Sequence, residues 1–254
     1  MRALALMLAV AAMPLEAAQC EARSGPHTAA LVELYTSEGC NSCPPADRWL
    51  RGLGEKALAP ARVVPLSLHV DYWDYIGWKD PFAQRRFSDR QRRLAGVHRS
   101  RVVYTPQVIL QGRDLRGWYS DAFLRELGTI NARSPKAAIR LRLDTGRADT
   151  WEVEVRAELL GAGIPEPVLY LARYQSGLAS SVAAGENRGR RLEHDFVVRD
   201  WVGPLPLREG RLAEVRTVKL APGADRGGAG VAAFVQSRRT AEVLQALMLP
   251  GCPG

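Results

Sequence analysis

"TSEGCNSCPPAD", residues 36–47, sets two cysteines three apart, follows the second with two prolines, and comes directly after the apolar run "ALVELY". The run has the length and composition of a buried strand. Proline is well tolerated in the first turn of a helix, where its missing N–H would have no intrahelical partner. Trp49, Leu50 and Leu53 then fall on one helical face. The stretch therefore predicts a strand over 29–36, a turn carrying Cys40, and a helix over 43–53 that begins at Cys43.

Working outward, the pattern predicts a strand over 62–70, a helix over 80–95 and a strand over 106–111. A turn at Gly112-Arg113, a short strand to Trp118 and a helix over 120–131 follow, so the order is β-α-β-α-β-β-α. Near "NARSPKAA", residues 131–138, helix-like stretches give way to period-two ones. "AAIRLRLD" sends Ile139, Leu141 and Leu143 inward, and "WEVEVRAEL" does the same with Trp151, Val153, Val155, Ala157 and Leu159. Further strands are expected over 167–174, 194–202, 213–220 and 230–237, separated by Gly- or Pro-rich turns. The expected architecture is an α/β unit over 26–133 and an all-β, sandwich-like unit over 134–250. A chain of 254 residues has room for both.

The N-terminal "MRALALMLAVAAMPLEAAQC" carries Arg2, an apolar stretch from Ala3 to Met13 and small residues at Ala17 and Ala18. This is a secretory signal layout, expected to be removed after residue 18 and too short to span a bilayer. It implies a periplasmic or secreted protein in an oxidising compartment, where cysteine pairs persist as disulfides. The formal charge of +8 comes from arginines scattered through both halves, without a basic run interleaved with aromatics, which argues against a nucleic-acid partner. Of four cysteines, Cys40 and Cys43 form a Cys-x-x-Cys unit, while Cys20 and Cys252 lie near opposite ends of the chain. Two jobs are indicated: chemistry for the close pair, and for the distant pair either a clamp on the termini or two free thiols.

A Cys-x-x-Cys between a buried strand and the first turn of a helix resembles the active site of the thioredoxin superfamily. "YTPQVILQGR", residues 104–113, is similar to that superfamily's segment in which a cis-proline opens a core strand, with Pro106 as the matching residue. A narrower resemblance rests on "ELYTSEGCNSCPPAD", "HVDYWDYIGWKDPF", "YTPQVILQGR" and "GENRGRRLEHDFVVR", which look like the DUF1223 family of secreted bacterial proteins of unknown function. It implies a thioredoxin-like domain joined to a β-rich one, and no established reaction.

A thiolate at a helix N-terminus is favoured by the positive end of the helix dipole, so Cys40 is expected to be the nucleophile and Cys43 the resolving thiol. The resemblance places Thr105 and Pro106 opposite the thiols, with Thr105 offering its backbone to an extended substrate. It also makes Glu33, an acid inside the apolar strand, the match for a buried acid that moves protons during exchange; strand alternation alone equally allows Glu33 to face solvent. In "HVDYWDYIGWKD", residues 69–80, His69 and Asp71 are expected near the thiols, and Tyr72, Trp73, Tyr75 and Trp78 as packing. The glycines of "GENRGRRLEHDFVVRDW" lack phosphate-loop spacing, leaving a structural loop, one that can touch the first domain, with solvated Arg188, Arg190 and Arg191. No cofactor is called for. The functional expectation is an exported thiol–disulfide oxidoreductase acting on protein or small-thiol disulfides with a separate redox partner. Its competitor is a binding module, in which the thiols hold a soft metal, one ligand short even with His69, or in which the disulfide is structural.

Overall fold

The computed structural model describes residues 19–55, 61–146, 150–220 and 228–252; the expected signal segment lies outside them. In chain order the strands and helices are β1 (Gln19–Arg23), β2 (Ala30–Thr36), α1 (Pro44–Glu55), β3 (Val63–His69), α2 (Arg85–Val97), β4 (Gln107–Leu110), β5 (Arg113–Asp114) and α3 (Ala122–Asn131). There follow β6 (Ala137–Asp144), β7 (Thr150–Leu159), β8 (Pro167–Gln175), β9 (Leu178–Ser181), β10 (Arg191–His194), β11 (Val197–Pro206), β12 (Arg211–Lys219), β13 (Ala229–Ser237) and β14 (Val243–Pro250). A 3-10 turn, Asp74–Ile76, lies between β3 and α2. The order from β2 to α3 is the β-α-β-α-β-β-α read from the sequence.

The strands form one mixed eight-stranded sheet, ordered β14-β13-β8-β11-β3-β2-β4-β5, one antiparallel four-stranded sheet, ordered β1-β6-β7-β12, and the separate hairpin β9-β10. The large sheet crosses the expected boundary at residue 134, because β11 pairs in parallel with β3 at Val197 and Ser67. The two halves of the chain thus share a sheet, and also a core: Leu66 and Leu68 of β3 pack in one cluster with Tyr170 and Phe234 of β8 and β13. A second core lies between the two sheets, where Ile139, Leu141, Trp151 and Val153 meet Leu171, Val231 and Leu247. Here the period-two reading of β6 and β7 holds, with inward residues buried and their neighbours wetter.

Three strands, β1, β9 and β14, have no counterpart in the sequence reading. β1 and β14 lie at the ends of the chain, and Cys20 of β1 is joined to Cys252, just past β14, across 232 residues. β14 is buried at seven of eight positions, so it shows no alternation for a period-two search to find. The expected strand over 194–202 divides into β10 and β11, with Phe196 between them at φ 56°.

Candidate redox site

β2 delivers the chain to the site and α1 carries it away. Between them Cys40 N–H donates to Ser37 O, and Cys43 N–H to Cys40 O, each at 3.2 Å. Cys40 and Cys43 are joined as a disulfide with Cα atoms 5.5 Å apart. Both are closed off from solvent, at 1% and 0% exposure, although Asn41 and Ser42 between them are exposed. Gly39 packs tightly on Trp73, since a Cβ there would lie 3.1 Å from Trp73 Cβ. Trp73 Nε1 in turn donates to Thr105 Oγ1 at 2.7 Å, and the Thr105–Pro106 bond is cis. Trp73 therefore bridges the cysteine turn and the Thr105–Pro106 segment.

The cover over the disulfide comes from the second half of the chain, the turn between β9 and β10. Asn187, fully buried, donates through Nδ2 to the carbonyls of Glu38, at 2.8 Å, and Cys40, at 2.9 Å. Asn41 N–H donates to Glu186 Oε2 at 3.0 Å. Arg190 Nη1 donates to Asn187 Oδ1 at 2.9 Å, while Arg188, Arg190 and Arg191 are all exposed. Gly185, at φ 73°, lets the strap sit on Ile76, whose Cδ1 would be 3.0 Å from a Cβ. "GENRGRR" is thus a strap over the disulfide, which its local composition did not reveal.

Where β2 ends and α1 begins lies a buried polar cluster. Asp47, one turn beyond Cys43 in α1, accepts a hydrogen bond from Thr36 Oγ1 at 3.3 Å. His69 pairs with Thr36 across β2 and β3, and its Nδ1 lies 2.7 Å from Asp80 Oδ2. Glu38 accepts from Trp78 Nε1 at 2.8 Å through Oε2, while His194 Nε2 lies 3.0 Å from its Oε1. The two imidazoles are 4.9 Å apart and nearly perpendicular. Each is thereby oriented by a carboxylate at one nitrogen, and the other nitrogens, His69 Nε2 and His194 Nδ1, are buried without a partner among the described residues, as is Asp47 Oδ1.

The charges follow from this geometry. Burial raises the Asp47 pKa, against the opposing pull of His194 and His69. For His69, burial acts to lower the pKa but the Asp80 carboxylate outweighs it, so the net shift is upward. Burial would raise Asp80, yet His69 and the backbone N–H groups of Glu38 and Phe82 hold it below the usual carboxylate range. His69 and Asp80 are thus shifted in the directions that favour an ion pair.

The structure brings Cys40, Cys43, Thr105 and His69 into this region and places Glu33 elsewhere. Along β2, Val32 and Leu34 pack with α1 and α3, whereas Leu31 and Tyr35 pack on the α2 side. Glu33 shares the latter face, where Arg90 Nη2 donates to its Oε2 at 2.9 Å and Arg90 Nε to its Oε1. It is neither the acid beneath the thiols nor a solvated one; the carboxyl that α1 carries one turn past Cys43 is Asp47. Asp71 also lies apart, bonded to the hydroxyl of Ser88 in α2. Tyr72 and Trp73 pack on the core as expected, but Tyr75 is 82% exposed. Sequence reasoning missed Glu38, Asp47, Asp80, Asn187 and His194. Only Asp47 had a local signal, its position four residues after Cys43 on one helical face. Among the described residues no group of three or more His, Cys, Asp and Glu side chains is arranged to hold a metal ion. No helix among them is long and apolar enough to cross a membrane.

Over residues 31–236 the sequence matches the family described as protein of unknown function, DUF1223. The chain belongs to this family. It is similar in structure to protein AGR_C_4864 from Agrobacterium tumefaciens, with a TM-score of 0.59 and 28% identity over 90% of this chain and 96% of that one. It is also similar to HBP35 of Porphyromonas gingivalis, with a TM-score of 0.64 and 14% identity over 89% of this chain and 76% of that one, a likeness of fold alone. Among curated proteins none matches the chain.

Proposed function

We propose that this DUF1223 protein is an exported thiol–disulfide oxidoreductase with a thioredoxin-like site, exchanging disulfides at Cys40 and Cys43. The observation that carries the reading is the position of the Cys40–Cys43 disulfide, between the end of β2 and the first residue of α1. A bridge across three residues constrains the unfolded chain least of all, so stability is a poor reason for it, while a helix N-terminus favours a thiolate. The signal-like N-terminus supports export. Substrates are protein or small-thiol disulfides, and a separate redox partner resets the pair.

In the reducing direction for the pair, an external thiolate attacks Cys40 Sγ, the Cys40–Cys43 bond breaks, and Cys43 leaves as a thiolate that takes up a proton. Asp47 assumes the role expected of Glu33, a buried carboxyl near the leaving sulfur that exchanges that proton. In the second step a further thiolate attacks the sulfur joined to Cys40, releasing the external disulfide and the Cys40 thiolate. Because an attacking sulfur needs access along the S–S axis, the strap carrying Asn187 must move first.

Cys43→Ser and Cys40→Ser test the assignment. Incubated with oxidised glutathione, Cys43→Ser is expected to accumulate a mixed disulfide on Cys40 that mass spectrometry detects, and Cys40→Ser to accumulate far less. A wild-type disulfide that resists dithiothreitol in the folded protein, yet is reduced once unfolded, would show a structural bridge instead.

A further inference from the structure

A cavity of about 130 Å3 lies between the start of α1 and β10, lined by Asp47, Arg48, Arg51, Arg190, Arg191 and His194 among others. Two of its lining residues, Asp47 and His194, are buried to all but 8% and 2%, and each keeps one polar atom without a partner among the described residues. Its mouth is basic. Arg51 is committed to Glu193 and Asp195, but among the described residues no carboxylate pairs with Arg48, Arg190 or Arg191. A polar-lined space of this size suits an occupant with hydrogen-bonding groups. Three guanidinium groups without carboxylate partners select the sign of its charge, since they attract an anion and repel a cation.

We propose that this cavity is a subsite for the carboxylate of an acidic thiol or disulfide substrate that exchanges at Cys40. The inference rests on the exchange reading above and adds the substrate class to it. A carboxylate seated there accepts from the guanidinium groups of Arg48, Arg190 and Arg191. The cavity is also joined to the cover of the disulfide through Arg190, whose Nη1 holds Asn187 Oδ1 while Asn187 holds the Cys40 carbonyl. A carboxylate that draws Arg190 towards itself frees Asn187 and loosens the strap. Substrate binding and exposure of Cys40 Sγ are then one event. The covalent step is unchanged: the substrate thiolate attacks Cys40 Sγ, the Cys40–Cys43 bond breaks, and Cys43 leaves and is protonated.

The test compares reduction of the native disulfide by 3-mercaptopropionate, 2-mercaptoethanol and cysteamine, each rate corrected for thiolate fraction and nucleophilicity. The wild type is expected to favour the carboxylate-bearing thiol over the neutral one by about tenfold, the size of one net charge-assisted hydrogen bond, with cysteamine slowest. Arg48→Glu/Arg191→Glu, at exposed positions, should abolish the preference, read as the ratio of the corrected 3-mercaptopropionate and 2-mercaptoethanol rates within the variant. Equal corrected rates in the wild type, or a preference that survives charge reversal, overturn the subsite. A second arm needs no exchange: sodium propionate at constant ionic strength should shift the His194 imidazole resonances of the wild type and not of the variant, and no shift overturns the subsite. If no thiol reduces the disulfide while propionate still shifts His194, the anion site stands and the exchange reading falls.

Discussion

The two sides of β2 hold two buried polar groups with opposite characters. On the α2 side, Glu33 and Arg90 form a closed set. Tyr35 Oη donates to Glu33 Oε1 at 3.3 Å, Gln236 Oε1 accepts from Arg90, and the rings of Tyr170, Trp201 and Phe234 stand 4.6, 5.0 and 5.1 Å from the guanidinium carbon. On the α1 side, Asp47, His69 and His194 each keep one buried polar atom without a partner among the described residues, and Asp47 and His194 line a cavity beside α1. A satisfied buried pair serves the fold, and its only open question is what it costs to break. An unsatisfied cluster is unfavourable for folding and has its use in what it binds or which protons it moves.

The largest expected effect breaks the closed side. Glu33→Ala leaves Arg90 buried without its carboxylate and should cost about 3–5 kcal/mol in urea denaturation. The folded fraction should still exchange its disulfide at the wild-type rate; a loss of exchange with stability intact would return Glu33 to the site and end the contrast between the two sides.

Asn187→Ala opens the other side from above. Removing two hydrogen bonds to buried carbonyls should cost about 1–3 kcal/mol and, more tellingly, should speed native-state reduction of Cys40–Cys43 by dithiothreitol. Unchanged reduction kinetics would mean that the strap does not limit access.

The smallest effect is one of sign. A carboxyl whose folded pKa lies above its unfolded one binds more protons in the native state, so its contribution to stability falls as pH rises through that range. Burial places Asp47 in this class, with His194 and His69 opposing it. Asp47→Asn keeps an acceptor for Thr36 and removes the titration, so the variant should gain in melting temperature relative to the wild type as pH rises above about 4. A variant that gains at low pH instead would show that Asp47 is ionised and paired.

What was legible in the sequence was local. Cys-x-x-Cys followed by Pro-Pro after an apolar run specified a strand, a turn and a helix start, because proline geometry and apolar run length act over a few residues. Period two marked β6 and β7 for the same reason, one face being wet. Which face of β2 meets α1 was not legible: all seven of its residues are buried, so no polarity contrast tells the sides apart, and Glu33 is hidden by a partner 57 residues away. The site was assembled by tertiary structure from Glu38, Asn187 and His194, residues 149 and 156 positions apart that meet only because β11 joins β3 and brings the β9-β10 hairpin over α1. Side-chain chemistry at a single position names what a residue can do. Only packing decides which distant partners it is left with, and here that paired Glu33 with Arg90 and left Asp47 with an oxygen unpartnered among the described residues.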